Sequence, residues 1–388
     1  MSIFDELHDR KHTRSVKWDM LKSVFQSDDV LPMWVADMDF KAPEAVNNAL
    51  IKRAEHGIYG YTVIDDDVTN SIINWVKKHH NWSLDKEWLS FSPGVVTSLH
   101  LAIQAFTEPN DKILIQTPVY TPFYNVIEQH NREVVKNPLV LENESYTIDF
   151  ADFEEKLKQG VKIFMLCSPH NPIGRVWKQE ELEEMARLCL KYDVLILSDE
   201  IHADLIYPGE HHTPIASLSE EIADQTITCM APSKTFNLAG LQASYVITTN
   251  KDKRATFDEH LSKQGHGMLN TMGNTALEAA YVHGEAWLDE LMTIIKANQE
   301  YVTEMLEKHT DLKVIRPEGT YLLWIDCSAL NLDKDSLNKF MIEKAKVGLN
   351  TGASYGEEGE SFMRMNIACT KATVEEGVQR IIDAVNAK

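Results

Sequence analysis

No apolar run in this chain approaches the roughly 20 residues that a membrane span needs. The first residues, MSIFDELHDRKHTRSVKWD, also lack the apolar stretch of a secretory leader. The expectation is a cytoplasmic protein with no membrane partner. Basic residues are scarce: 38 Lys and Arg stand against 59 Asp and Glu, a formal net charge of −21. Nucleic-acid binding needs a basic footprint, so no nucleic-acid partner is expected. Cysteine is sparse as well. Cys167, Cys189, Cys229, Cys327 and Cys369 lie far apart with no C-x-x-C pair, which reads as reduced core thiols and not as a disulfide framework. Histidines cluster at His79-His80 and His211-His212. Neither pair has the spacing of a metal motif such as H-E-x-x-H, and no metal site is expected. Low-complexity tracts and internal repeats are lacking too.

What is present is ordinary globular composition, 44% hydrophobic and 25% charged residues. At 388 residues the chain exceeds one simple core, and two domains are the default. The runs KILIQ (112–116), VKIFMLC (161–167), DVLILS (193–198) and QTITCMA (225–231) read as buried strands. Between them lie amphipathic stretches: Leu99, Ala102, Ile103 and Phe106 fall at helical spacing, as do Leu182, Met185, Ala186 and Cys189. Strands alternating with helices predict an α/β domain with a largely parallel sheet, placed at residues 45–285. After it, AWLDELMTIIKANQEYVTEML predicts a long helix with Trp287, Leu291, Ile294, Asn298, Val302 and Met305 on one face. A strand (TYLLWID), a helix (DSLNKFMIEKA), a strand (SFMRMNIA) and a last helix (VEEGVQRIIDAV) follow. This is an α+β pattern, assigned to a smaller domain of residues 286–388 with residues 1–44.

In an open parallel sheet, ligands bind beyond the carboxyl ends of the strands. Here the strands are followed by TPVYTPF, SPHNPIG, DEIH and PSK. If they are neighbours, Tyr120, Asn171, Asp199, His202 and Lys234 converge on one edge. A lysine seen alone is usually a solvated loop residue. A lysine with a carboxylate, an asparagine and an aromatic ring instead suggests a pyridoxal phosphate site. There the lysine amine attaches the cofactor aldehyde, and the carboxylate keeps the ring nitrogen protonated. Asp199 suits that role, although by itself it also suits a helix N-cap. Asn171 could donate to the ring oxygen, or simply turn the chain before Pro172. Tyr120 could stack on the ring, or be a core aromatic. In SPGVVTSLHLAI, the backbone N–H groups of Gly94, Val95 and Val96 open a helix and could seat the phosphate, with Ser233 adding a hydroxyl. Arg364, in an apolar run, wants an anionic partner: a substrate carboxylate or a structural salt bridge. Trp34, Tyr120, Phe123 and Tyr124 could line an apolar substrate pocket, or pack in the core.

The sequence resembles the fold-type I pyridoxal phosphate enzymes, and within them the MalY/PatB group of cystathionine β-lyases. The resemblance runs from SVKWD (15–19) to the C-terminal helix. It is carried by LPMWVADMDF, GIYGYT, FSPGVVTSLH, TPVYTPFY, CSPHNPIGRVW, SDEIHADL, APSKTFNLAGLQAS and FMRMNIACT, in that order. It implies a large domain with a mostly parallel seven-stranded sheet flanked by helices, plus a smaller α+β domain. It matches Lys234 to the lysine that binds the cofactor, Asp199 to the partner of the ring nitrogen, and Asn171 to the ring-oxygen contact. It matches Tyr120 to the stacking ring and Arg364 to the carboxylate binder. It sets Ala36, in WVADMD, on a loop that closes near the substrate carboxylate. Tyr61, in GIYGYT, matches a tyrosine that reaches the phosphate of a neighbouring subunit, which implies a homodimer with shared active sites. Two positions depart from the broader aminotransferase pattern: His202 stands where a tyrosine is common, and Gln242 where an arginine often meets the phosphate. The implied activity is β-elimination on cystathionine or other S-substituted L-cysteines, giving a thiol, pyruvate and ammonia. The alternatives are an aminotransferase using the same residues and a lyase with an added regulatory protein-binding role.

Overall fold

A computed structural model describes residues 3–388. Its centre is a seven-stranded sheet of β1 (Leu89–Ser92), β2 (Lys112–Thr117), β3 (Glu133–Pro138), β4 (Val161–Cys167), β5 (Leu195–Asp199), β6 (Thr226–Met230) and β7 (Ser244–Ile247). The spatial order is β1-β7-β6-β5-β4-β2-β3. Only β7 runs antiparallel to its neighbours. β1, β3 and β7 are absent from the sequence reading because they are short or carry polar residues on alternate positions.

The central strands are buried along almost their whole length, as expected when helices cover both faces. The pleat sends successive side chains to opposite sides. On β4, Phe164 and Leu166 join one apolar cluster, while Ile163, Met165 and Cys167 join the cluster across the sheet. Because β2, β4, β5 and β6 are contiguous and parallel, their carboxyl ends open on one edge.

A four-stranded antiparallel sheet is built from β8 (Lys313–Ile315), β9 (Leu322–Asp326), β10 (Asn350–Thr351) and β11 (Phe362–Asn366), in the order β8-β9-β11-β10. The long helix Glu285–His309 and the last helix Lys371–Asn386 accompany it. The buried face of the long helix is rotated from the expected one. Leu288, Ile295 and Leu306 are buried beside Trp287, Leu291, Asn298 and Val302, whereas Ile294 and Met305 are only partly covered. Asn298 is inside because its amide donates to the carbonyls of Ile367 and Cys369, both at 3.0 Å. The expected helix at 335–345 is α-helical over Lys334–Phe340 and then widens into a π turn over Met341–Ala345.

The N-terminal segment is tied to the smaller sheet. Leu31–Pro32 pairs with Val347–Gly348, and Asn366 N–H donates to the Met33 carbonyl. It is also anchored by a charge cluster. Lys17, only 1% exposed, places Nζ 2.7 Å from Asp39 Oδ2. Asp39 Oδ1 accepts from Arg10 Nη1 at 2.7 Å and from Trp18 Nε1 at 2.9 Å, and Arg10 Nη2 donates to Asp37 Oδ2 at 2.7 Å. Two cations and two carboxylates thus neutralise each other. Burial pushes the Asp39 carboxyl up, but the Lys17 charge and the three donors outweigh it and hold it below its usual value. Its stabilisation is therefore present above about pH 4 and is lost as pH falls through the lowered folded-state value. Asp39→Ala leaves Arg10 and the buried Lys17 to share Asp37, 3.9 Å from the Lys17 amine, and is expected to cost about 3 kcal/mol, whereas Lys17→Met with Asp39→Leu removes one charge of each sign and costs far less. Chemical denaturation of the single and double variants side by side checks this.

Candidate active site

A cavity of about 290 Å³ opens at the carboxyl ends of β4, β5 and β6. Tyr120, Asn171, Asp199, His202, Ser233 and Lys234 line it, with Gly94, Val95 and Val96 on one wall and Ala36 on another.

Lys234 lies on a four-residue helix, Pro232–Thr235, that begins directly after β6. Its amine donates to the Ala36 carbonyl at 2.6 Å. Burial, and then the positive charge of Arg364, lower its pKa from 10.5 to about 8, against the opposing pull of Asp37 and Asp199. The uncharged amine, which a nucleophile or base requires, is thus far more populated near neutral pH than for an ordinary lysine.

Asp199 ends β5. Its Oδ1 accepts from Ile201 N–H at 3.1 Å, a local turn contact of the N-cap kind. Among the described residues no cation lies within 4.0 Å of it. Burial raises its pKa from 3.8 to about 7, only partly offset by the Ile201 N–H and Lys234. A buried carboxylate with no cation is costly, and a protonated ring nitrogen would satisfy it.

Arg364, on β11, is 2% exposed. Nη1 donates to Asn171 Oδ1 at 3.1 Å and Nη2 to the Trp34 carbonyl at 2.7 Å, while Nε has no partner. The guanidinium sits 5.2 Å from the Tyr355 ring centroid. No carboxylate forms an ion pair with it among the described residues, so it is not a structural salt bridge. Both of its hydrogen-bond acceptors are neutral, and a carboxylate binds guanidinium more strongly than either.

The remaining residues fit pyridoxal phosphate. The helix Val95–Phe106 starts at Gly94 with no side-chain cap, so its first N–H groups face the cavity wall available to an anion. A Cβ at Gly94 would meet no heavy atom within 4 Å. His202 is buried with Nδ1 unpartnered. Burial, reinforced by Lys234 and Arg364, lowers its pKa to about 3, so it is a neutral ring. Burial, with the Asp199 charge, raises Tyr120 to about 12, so it is a neutral phenol and not a base. Gln242 lines the cavity in a left-handed backbone conformation with φ 50°. It supplies an amide, not a cation, beside the anion wall.

Four residues named from the sequence lie elsewhere. Phe123 is wholly buried in the apolar cluster beside the sheet. Tyr124 turns its hydroxyl to the Tyr355 carbonyl at 2.9 Å. The Trp34 indole donates to the Lys17 carbonyl at 3.1 Å and meets the Phe25 ring edge-on, so its backbone, not its ring, reaches Arg364. These three rings therefore do not form the expected apolar substrate pocket. Tyr61 is 96% exposed and outside the cavity of its own chain. Pro93, Thr97, Cys167, Ile201, Ala239 and Ala243 also line the cavity and are not assigned to the site from the sequence. Thr97 was within reach, lying in the first turn of a helix already assigned to the anion.

The segment 34–40 roofs the site. The Ala36 carbonyl accepts from Tyr321 Oη at 3.0 Å as well as from Lys234. Asn366 Nδ2 holds the Val35 and Asp37 carbonyls at 2.5 and 2.6 Å. Asn237, three residues after the lysine, donates to the Met38 and Phe40 carbonyls at 3.0 and 2.9 Å. The roof is thus fastened to the smaller sheet through Asn366 and to the turn after the lysine helix through Asn237.

The sequence pattern of the family described as aminotransferase class I and II matches residues 28–381. The chain is 47% identical over 385 residues to cystathionine beta-lyase PatB of Bacillus subtilis (strain 168), spanning 99% of this chain and all of PatB. It superposes on the crystal structure of cystalysin from Treponema denticola, which contains a pyridoxal 5′-phosphate cofactor. The TM-score is 0.96, with 36% identity and coverage of 99% of this chain and 98% of that one. It superposes likewise on the PLP-bound C-S lyase from Staphylococcus hominis, with a TM-score of 0.93, 34% identity and coverage of 98% and 97%. Matched from residue 28 to residue 381, the chain belongs to the aminotransferase class I and II family.

Proposed function

We propose that this chain is a pyridoxal phosphate-dependent carbon–sulfur β-lyase acting on S-substituted L-cysteines, cystathionine among them. One observation carries the reading: an amine of lowered pKa, an unpaired buried carboxylate and an unpaired buried guanidinium surround or adjoin a single cavity. Those are the groups needed for a covalent aldehyde cofactor, its ring nitrogen and an amino-acid carboxylate. The choice of elimination is supported by the likeness to PatB and to the C-S lyase structure, and by His202 and Gln242.

Bound pyridoxal phosphate supplies an electron-accepting ring that stabilises negative charge at the substrate Cα. Lys234 would hold the cofactor through its amine, and its uncharged Nζ is the base that would take the Cα proton. Asp199 keeps the ring nitrogen protonated. The N–H groups at Gly94–Val96 and the Ser233 hydroxyl would hold the phosphate, and Asn171, His202 and Tyr120 would contact the ring. Arg364 exchanges its neutral acceptors for the substrate carboxylate, which orients the Cα–H bond toward Lys234. Net, R–S–CH₂–CH(NH₃⁺)–COO⁻ and water give R–SH, pyruvate and NH₄⁺. Residues 45–285 act as the cofactor-binding body and residues 1–44 with 286–388 as the smaller one, which contributes the roof segment.

The active unit is a homodimer. The loop after helix Glu44–His56 exposes Ile58 (67%), Tyr59 (60%), Tyr61 (96%) and Val63 (73%), an apolar stripe with no cover in the single chain. A second copy covers it and receives Tyr61 at its phosphate.

S-alkyl cysteines should release thiol, pyruvate and ammonia through many turnovers with no keto acid added. Turnover that requires a keto acid and yields no thiol would make the chain an aminotransferase instead. Arg364→Ala should lower kcat/KM about 100-fold, chiefly through KM, because carboxylate binding is lost. In the ligand-free chain, ionising Asp199 costs folding free energy that grows as pH rises from the unfolded value of 3.8 and is complete above about 7. Asp199→Asn should therefore raise the ligand-free melting temperature at pH 8, with a smaller gain at pH 5, while abolishing turnover in the loaded enzyme. Mixing Tyr61→Phe with Lys234→Ala subunits should restore activity, because one site of each mixed dimer regains both residues. Mixed dimers verified by mass and still inactive would count against shared sites.

A further inference from the structure

Each of the two histidine pairs of the sequence has one member bonded to a buried carboxylate. His80 Nε2 is 2.9 Å from Asp204 Oδ1 and His212 Nε2 is 2.9 Å from Glu200 Oε2, with all four side chains at most 5% exposed. The two rings meet edge-on at 5.5 Å. Glu200 adjoins Asp199 in sequence and also accepts from the Ser198 hydroxyl at 2.8 Å. Asp204 lies five residues after Asp199. Its other oxygen, Oδ2, accepts from Thr235 Oγ1 at 2.7 Å, and Thr235 directly follows Lys234.

The lysine needs such a tie. A helix of four residues has little stability of its own. Pro232–Thr235 is closed at its end by Phe236 N–H on the Pro232 carbonyl and Leu238 N–H on the Ser233 carbonyl, both at 2.9 Å, and the chain then turns through Asn237 with φ 58°. Its direction is set by what its buried residues touch. Thr235 is fully buried, and the hydroxyl is its polar contact. Asp204 is a firm anchor, because Trp75 Nε1 and His80 Nε2 both donate to Oδ1 at 2.9 Å. Burial works against its charge, but the His80, Thr235 and Trp75 donors outweigh that and keep its pKa below the usual value.

We propose that Thr235 and Asp204, backed by His80, are positioning residues for Lys234. They form a buried post that fixes the lysine-bearing helix against the loop following Asp199, and so sets the distance between the two charged groups of the site. Neither touches the cavity. The inference rests on the lyase reading in that Lys234 is the residue placed.

Thr235→Val removes one hydroxyl and keeps the branched shape. With an S-alkyl cysteine it should lower kcat about tenfold with KM changed less than about twofold, as misplacement of a reacting group does. The rate at which the stripped chain takes up pyridoxal phosphate, followed by absorbance, should fall by a similar factor, and Thr235→Ser should restore both. Should Thr235→Val fail to fold, Thr235→Cys takes its place in the same assays. A folded Thr235→Val with parental kcat and uptake, differing only in melting temperature, overturns the inference and leaves the post structural. So does a loss that Thr235→Ser fails to restore. A parent chain that takes up no pyridoxal phosphate overturns the lyase reading itself, and with it this inference.

Discussion

Lys234 and Asp199 share one cavity without touching, and the rest of the structure is arranged around that separation. Paired directly, they would neutralise each other and neither would be available. Held apart in a buried site, each has its charge penalised. The lysine drops to about 8 and the aspartate rises to about 7. Arg364 adds to the effect by repelling positive charge on Lys234. The site is thus primed by an energetic cost that a ligand with an aldehyde and a protonated ring nitrogen would relieve at both groups, and perturbed groups of this kind cluster at functional sites.

That cost is met by order elsewhere. The contiguous parallel strands fix where Asp199 and the lysine helix emerge. The neutral cluster of Arg10, Lys17, Asp37 and Asp39 anchors the roof segment, whose Ala36 carbonyl occupies the lysine amine. The same segment offers the Trp34 carbonyl to Arg364. On the proposed function, a substrate carboxylate at Arg364 would compete with this carbonyl for the guanidinium.

Much of this was legible in the sequence, for identifiable reasons. The central strands stand out because burial on both faces makes them continuous apolar runs, and a run such as VKIFMLC coincides with β4 residue for residue. Their order in the sheet was not legible, since parallel neighbours are set by crossovers, not by local pattern. The long helix was clear but the centre of its buried face was not: Ile294 and Met305 stand beside Ile295 and Leu306 in the sequence, and either pair makes an apolar stripe with Leu291 and Val302. Arg364 was conspicuous in an apolar strand, yet only the structure tells a free guanidinium from a salt bridge. Phe123, Tyr124 and Trp34 misled because aromatic residues near a strand exit look the same whether they face a ligand or the core. The histidine pairs gave no signal because His80 and Asp204 are 124 residues apart.

The central claim is that Lys234 is the amine that carries the cofactor. Borohydride reduction of the loaded enzyme, followed by peptide mass mapping, tests it most directly. The account predicts the reduced cofactor mass on one peptide, the one containing Lys234. Attachment to any other lysine, or none at all on a loaded and active enzyme, would contradict it.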